Sequence, residues 1–205
     1  MRIKTWMDRI TNEDNLWLNA IKMEDECNFF EAFGYYLKDA SECLKQNSLV
    51  KAALSCSCAA SCLANLGNLP ATRQLYLEAA RIYEENADAI IGESIRESLW
   101  SLQEAYEYYL LGGNVDKAQK AYDKSLFLAR KVNPFSGEDE IMQNLRMRKK
   151  HVDDTINITH NNLQTSDKIE EEIQNFMRQR KPNLNADKET DHTSLLRSTN
   201  VGKHI

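Results

Sequence analysis

Apolar residues recur at helical spacing through the first two thirds of the chain. Between residues 29 and 44 they stand three or four positions apart, which places them on one stripe of a helix. The members of this stripe are Phe29, Phe33, Tyr36, Leu37, Ala40, Cys43 and Leu44. Comparable patterns predict further helices over about 12–21, 48–66, 70–83, 93–111 and 115–131.

Short polar or glycine-containing breaks separate the predicted helices. The breaks are Asn47-Ser48, Gly67-Asn68, Gly112-Gly113-Asn114 and Asn133-Pro134. Ser48 is a suitable N-cap, and Pro70 is suited to the first turn of the helix that follows it. With only 7 glycines and 3 prolines, the chain favours long helices over a sheet, whose turns need both residues. The sequence therefore predicts an all-α fold.

The sequence also repeats itself, because a shift of 46 positions superimposes several identical residues. The matched pairs are Ser55 with Ser101, Ala59 with Ala105, Gly67 with Gly113, Asn68 with Asn114, and Tyr76 with Tyr122. Small and aromatic residues alternate on the helix faces, so that an alanine on one helix leaves room for a tyrosine on the next. A repeat of this size predicts stacked helical hairpins.

These repeats resemble the tetratricopeptide (TPR) superfamily over about residues 28–132. The positions that carry the resemblance in one copy are Leu102, Ala105, Tyr106, Tyr109, Gly113-Asn114, Ala118, Tyr122 and Ser125. In the other copy they are Cys56, Ala59, Ala60, Leu63, Gly67-Asn68, Thr72, Tyr76 and Ala79. The usual repeat has about 34 residues, and the longer hairpins of this chain are similar to those of the SNAP-like branch. The resemblance implies a right-handed stack of antiparallel helical hairpins, a TPR-like α-solenoid.

The resemblance also implies a concave groove lined by the first helix of each hairpin. Mapped onto the two copies, its outward positions are Ser57, Ser61, Asn65, Gln103 and Glu107. Small and polar side chains suit an adaptable peptide-binding surface, although exposed polar residues are also the ordinary content of a solvated helix face. The apolar stripes leave open whether the helix over 28–46 closes a first hairpin or opens one with 48–66.

Composition divides the chain into four stretches. These are a leader over 1–11, the helical-hairpin domain over 12–158, a linker with a short amphipathic helix over 159–181, and a disordered tail over 182–205. The short helix, predicted over 166–180, carries Ile169, Ile173, Phe176 and Met177 on one side. It either docks back onto the stack as a cap or contacts a partner.

Charge and hydropathy narrow the range of partners. The net charge of −5 disfavours a nucleic-acid partner, since proteins that bind nucleic acids usually carry a basic balance or a basic stripe. No apolar run approaches the ~18 residues of a membrane span, and the first residues lack the apolar segment of a signal peptide. We therefore expect a cytoplasmic protein without a membrane span, whose five cysteines stay reduced.

Residues capable of catalysis or metal binding form no familiar constellation in this sequence. Cys56, Cys58 and Cys62 share one predicted helix without a second cysteine pair, which favours packing over a zinc site. The chain has no glycine-rich phosphate loop and no hydrolase or metalloprotease motif. We expect no metal, no cofactor and no small-molecule substrate. The predicted function is that of a non-catalytic scaffold or adaptor, which binds a peptide or helix of another protein in the groove.

One short motif favours an alternative function. Four residues separate Arg146 from His151, and this spacing is similar to the catalytic signature of the HEPN helical ribonucleases. That resemblance implies RNA cleavage by these two side chains. The basic run over 146–150 is also suited to binding phosphates or an acidic partner.

Overall fold

The described part of the chain is built from helices that follow one another closely. The computed structural model describes residues 15–133, 143, 147–150 and 167–180. Its helices are α1 (Leu16–Asp25), α2 (Phe29–Lys45), α3 (Leu49–Asn65), α4 (Leu69–Ile90), α5 (Ile95–Leu111), α6 (Val115–Val132) and α7 (Asp167–Arg180). Residues 147–150 are helical too, and no strand occurs among the described residues. The predicted all-α class is thus confirmed, while the predicted leader over 1–11 and tail over 182–205 lie outside the described residues.

The same tight turn joins most neighbouring helices. A residue in the left-handed region follows the end of α1, α2, α3 and α5, and these residues are Cys27, Asn47, Gly67 and Gly113, with φ of 57°, 56°, 77° and 79°. The next residue donates its N–H to the carbonyl five positions earlier, as in the Asn68 to Leu63 bond of 3.0 Å. That residue then starts the following helix. Because each turn reverses the chain within two residues, consecutive helices run antiparallel and pack along their length.

Side-chain caps fix where several of these helices begin. The side-chain oxygens of Asn15, Asn68, Ser94 and Asn114 each accept a hydrogen bond from the backbone N–H three residues later. Ser48 occupies the predicted N-cap position of α3, yet its side chain makes no capping bond. The predicted helix boundaries therefore hold within a few residues, the main difference being that α4 continues to Ile90.

One substitution measures how much the left-handed backbone conformation of a turn contributes to stability. An alanine Cβ at Gly113 would meet no atom within 4 Å, so the only cost of Gly113→Ala is the positive φ of 79°. We expect a loss of about 1 kcal/mol in the free energy of unfolding, measured by urea titration. Gly92 is the control, because its surroundings are equally open and its φ is not positive. Gly92→Ala should be neutral or slightly stabilising, and equal losses at both positions would contradict this account.

The core combines alanine with large aromatic residues. Nearly every buried position of α3 and many of α2 and α4 carry alanine, cysteine or serine. The largest fully buried side chains include Tyr36, Tyr83, Tyr109 and Phe33. Small residues allow the helix backbones to approach one another, and the tyrosine rings fill the remaining space.

Polar contacts extend the packing beyond consecutive helices. The Tyr109 hydroxyl on α5 donates to Glu84 on α4 at 2.7 Å, and Lys124 on α6 donates to the other oxygen of the same carboxylate at 2.9 Å. Burial pushes the pKa of Glu84 upward, but the bonds from Tyr109 and Lys124 outweigh it, so the pKa is lowered. The same carboxylate raises the pKa of Lys124 against the opposing effect of burial. Glu84 therefore joins three helices as a carboxylate.

This network makes stability depend on pH in a defined direction. Because the pKa of Glu84 is lower in the folded chain, its contribution is present above about pH 4.3, the unfolded value, and is lost as pH falls through the folded value. We expect Glu84→Gln to cost about 0.5–1 kcal/mol at pH 7, since Lys124 is partly solvated, and progressively less below pH 4. Urea unfolding of both proteins from pH 7 to pH 3 measures the difference. A difference that stays constant with pH would exclude the carboxylate as its source.

The C-terminal helix α7 lies across α2 and α4. Three of its four large apolar residues, Ile169, Ile173 and Phe176, are 3%, 1% and 3% exposed and belong to the main core, and Met177 is partly buried against it. Their contacts lie on the second and fourth helices rather than at either end of the stack. Of the two predicted roles of this helix, the structure shows docking, and the location corrects the expectation that it would cap an end.

Candidate functional site

The residues predicted to line a groove lie on two alternate helices. Ser57, Ser61 and Asn65 are on α3, and Gln103 and Glu107 are on α5. Ser61 and Asn65 are exposed, and the two α5 residues are half-buried. We call the surface formed by the outer residues of these two helices the α3–α5 face.

Ser57 corrects one of these expectations. It was predicted to point outward, but it is only 5% exposed. Its hydroxyl donates to the Leu54 carbonyl at 2.8 Å and is hydrogen-bonded to Tyr108 of α5. Ser57 therefore supports the α3–α5 face from below and is not available to a ligand.

A row of aromatic rings runs beneath and along the α3–α5 face. Tyr108 stacks on Tyr76 and on Tyr83, with ring centroids 5.7 Å apart in both pairs, and Trp100 meets Tyr83 edge-on at 5.6 Å. The Ser61 hydroxyl lies 3.4 Å from that of Tyr76. Burial raises the pKa of Tyr108 to about 12, so its phenol is neutral. Trp100 is 40% exposed and extends the row to the surface, which gives the face a rigid aromatic element with hydrogen-bonding groups beside it.

From the sequence these tyrosines are expected to pack between helices, and their alignment in one row was not predicted. A signal was present, because Tyr76 and Tyr83 are seven residues apart and Trp100 and Tyr108 are eight apart. Both spacings place two rings on one side of a helix. What the sequence does not contain is the register between α4 and α5, which interleaves the two pairs into one row.

Two carboxylates on α5 contact a basic side chain from much later in the chain. One guanidinium nitrogen of Arg148 donates to Glu104 at 3.0 Å and to Glu107 at 2.8 Å. All three side chains are largely shielded from solvent. The predicted groove residue Glu107 thus already contacts an arginine of its own chain.

This contact bears on the basic run over 146–150. Arg148 faces α5, whereas Lys149 and Lys150 are exposed. Arg146 and His151, the two residues of the ribonuclease alternative, lie outside the described residues.

Two thiols lie beside a partly buried polar contact between α1, α2 and α3. The Tyr36 hydroxyl donates to Glu24 at 2.5 Å, and Cys58 and Cys62 lie next to the same carboxylate. Burial raises the pKa of Cys58 to about 11, with a further contribution from the Glu24 charge. The pKa of Cys62 is raised for the same two reasons. Both thiols are therefore protonated near neutral pH and are poor nucleophiles; among the described residues, no group of His, Cys, Asp and Glu is arranged to hold a metal ion.

Thiol titration tests this description directly. Cys27 is exposed, Cys58 is half-buried, and Cys43, Cys56 and Cys62 are buried. We expect one of the five thiols to react rapidly with an aromatic disulfide reagent at pH 8, and all five after unfolding in guanidinium. Cys27→Ser should abolish the rapid phase. A rapid phase that persists in this variant would identify a reactive thiol within the stack.

Among the described helices, none has both the length and the apolar character needed to cross a bilayer. Protein-family models, curated proteins and solved structures gave no match to the chain.

Proposed function

We propose that this chain is a cytoplasmic, non-catalytic adaptor, a TPR-like stack of helical hairpins that binds a peptide or helix of another protein on the α3–α5 face. The observation that carries the proposal is the docking of α7. This amphipathic helix packs across α2 and α4 through three apolar side chains. A surface between alternate helices of this stack is therefore suited to receive a helix.

The composition of the α3–α5 face supports the same function. It offers the half-exposed indole of Trp100 and the exposed polar side chains of Ser61 and Asn65. Aromatic residues that are rigid and only partly buried are frequent anchors in protein interfaces.

A charge-bearing double variant tests this proposal. Ser61→Arg/Asn65→Arg adds two bulky cations at exposed positions of α3 and leaves the core unchanged. The protein is used to capture its partner from native extract, and the purified partner is then titrated calorimetrically. We expect the variant to bind at least about tenfold more weakly, since unfavourable contacts at an interface cost more than about 1.4 kcal/mol.

The control adds the same charge to α4 and α6, which lie outside the α3–α5 face. Ala89 and Gln119 are exposed on α4 and α6, and Ala89→Arg/Gln119→Arg should leave the affinity unchanged. Equal affinities for all three proteins would remove the α3–α5 face as the binding surface. Equal losses in both variants would also contradict the proposal, because they indicate a general charge effect.

A further inference from the structure

The contact of α7 with α2 and α4 has the features of a ligand in a binding groove. Its apolar residues Ile169, Ile173 and Phe176 follow i, i+4, i+7 spacing and form one narrow stripe, and these three side chains are buried. The positions between them, such as Glu170 and Gln174, are exposed. Helices that bind in grooves of other proteins commonly use this pattern of anchors.

α7 is also self-contained as a helix. Asp167 and Glu170 are in its first turn and Arg178 is near its end, which complements the helix dipole. Residues 134–166 separate it from α6, so it is not joined to the stack by a short turn as the other helices are. A 14-residue helix is marginal in water by itself, and docking must therefore supply the free energy that orders it.

One position of the groove lies against a side chain of α7. Gly34 lies on α2, and the Glu172 carboxylate oxygen is 3.6 Å from the place where a Cβ on Gly34 would stand. An alanine would make an ordinary contact there, whereas a large side chain would collide with the docked helix. We define the α2–α4 groove as the surface of these two helices that α7 covers.

We propose that the α2–α4 groove is a second protein-binding site, in which α7 is an exchangeable ligand supplied by the chain itself. The ligand from another protein that would fit this groove is an amphipathic helix. Such a helix would carry large apolar residues at i, i+4 and i+7, acidic residues in its first half and a basic residue near its end. Partner binding at this groove then requires release of α7. The α3–α5 face is not involved, so the two proposals are tested by separate experiments, although both start from the docking of α7.

Tethering sets the size of the expected effect. As part of the same chain, α7 is held near its groove at an effective concentration of about 1 mM. If the free helix binds with a dissociation constant near 10 μM, the tethered copy weakens binding of a competing helix about 100-fold. A helix added in trans should therefore bind poorly to the intact chain and well to a chain whose α7 is displaced.

The experiment uses a fluorescein-labelled peptide of residues 166–181 and the full-length chain. Fluorescence anisotropy compares the natural protein with Ile173→Glu/Phe176→Glu, which places charge at two buried anchors. We expect the variant to bind the peptide at least tenfold more tightly than the natural protein. The control Gln174→Glu/Asn175→Asp adds the same charge at exposed positions of α7 and should bind as weakly as the natural protein.

Two substitutions at Gly34 test whether the peptide binds in the α2–α4 groove. Adding Gly34→Phe to the displaced variant should abolish peptide binding, whereas adding Gly34→Ala should preserve it. A second peptide, in which every residue except the three anchors is changed while the charge distribution is kept, should bind the displaced variant within about tenfold of the first. A peptide with serine at the three anchor positions should not bind.

A cleavable chain keeps the test valid if the charged variant does not fold. A protease site placed within residues 160–166 leaves the stack and α7 unaltered until it is cut. After cleavage, the labelled peptide should exchange into the groove on dilution, while the uncut chain should not take it up. The proposal is overturned if neither the displaced variant nor the cleaved chain binds the peptide, or if the intact chain binds it equally well.

Discussion

Tyr83→Ala is expected to be among the most destabilising single substitutions in the stack, with a loss of about 3–5 kcal/mol. Tyr83 is 2% exposed and has Tyr108 on its face and Trp100 at its edge. Truncation removes both ring contacts and leaves a cavity between α4 and α5. Because these helices are separated by a short connection and pack along their length, the cavity cannot close without moving a whole helix.

Two further variants distinguish the contribution of the Tyr83 ring to stability from the contributions of its hydroxyl and of Trp100. Tyr83→Phe keeps both ring contacts and is expected to cost less than about 1 kcal/mol. Trp100→Ala removes a partly exposed ring and is expected to cost about 1 kcal/mol, the usual value of an aromatic pair. Urea titration at pH 7 measures all three variants. If Tyr83→Ala cost no more than Trp100→Ala, the aromatic row would not be part of the core of the stack.

Ile173→Ala is expected to produce the second large effect, a loss of about 2–3 kcal/mol that is limited by the free energy with which α7 docks. Ile173 is 1% exposed and is the central anchor of α7. The limit arises because α7 detaches as a unit once its docking free energy is exhausted, after which further substitutions on it cost nothing more. Ile169→Ala/Ile173→Ala should therefore lose less than the sum of the two single variants.

Hydrogen exchange and urea unfolding together test this prediction. The amides of α7 should exchange much faster in Ile173→Ala, while those of α3 and α4 should keep their protection. Gln174 is exposed beside the anchor, and Gln174→Ala should change stability by less than about 0.5 kcal/mol. Equal effects of the two substitutions would mean that α7 is not held by its apolar stripe.

The helices could be predicted because their signals are local. The apolar stripe of α2 and the breaks at Gly67-Asn68 and Gly112-Gly113-Asn114 need no knowledge of the rest of the chain. Two turns were less evident as left-handed positions, because Cys27 carries a side chain that disfavours this conformation and Asn47 tolerates it only moderately. The 6→1 backbone bonds show that the turn geometry is set by the helix end rather than by glycine alone.

The surface could be predicted only in part. Ser57 was expected to be exposed because the family resemblance maps it to an outward groove position, but it is only 5% exposed and lies near Tyr108 of α5. The contact of Arg148 with Glu104 and Glu107 joins residues more than 40 positions apart, and no periodic pattern encodes such a pair. The α7 stripe likewise predicts that a helix docks, but three apolar anchors do not specify which pair of helices receives them.

Site-specific photocrosslinking tests the central claim of partner binding on the α3–α5 face most directly. A photoreactive amino acid is introduced at Gln103 on that face and, separately, at Ala89 on α4, and each protein is irradiated in native extract. Our account predicts that one protein is crosslinked from position 103 and not from position 89, and that Ser61→Arg/Asn65→Arg suppresses the crosslink. No crosslink from position 103, or the same products from both positions, would contradict it.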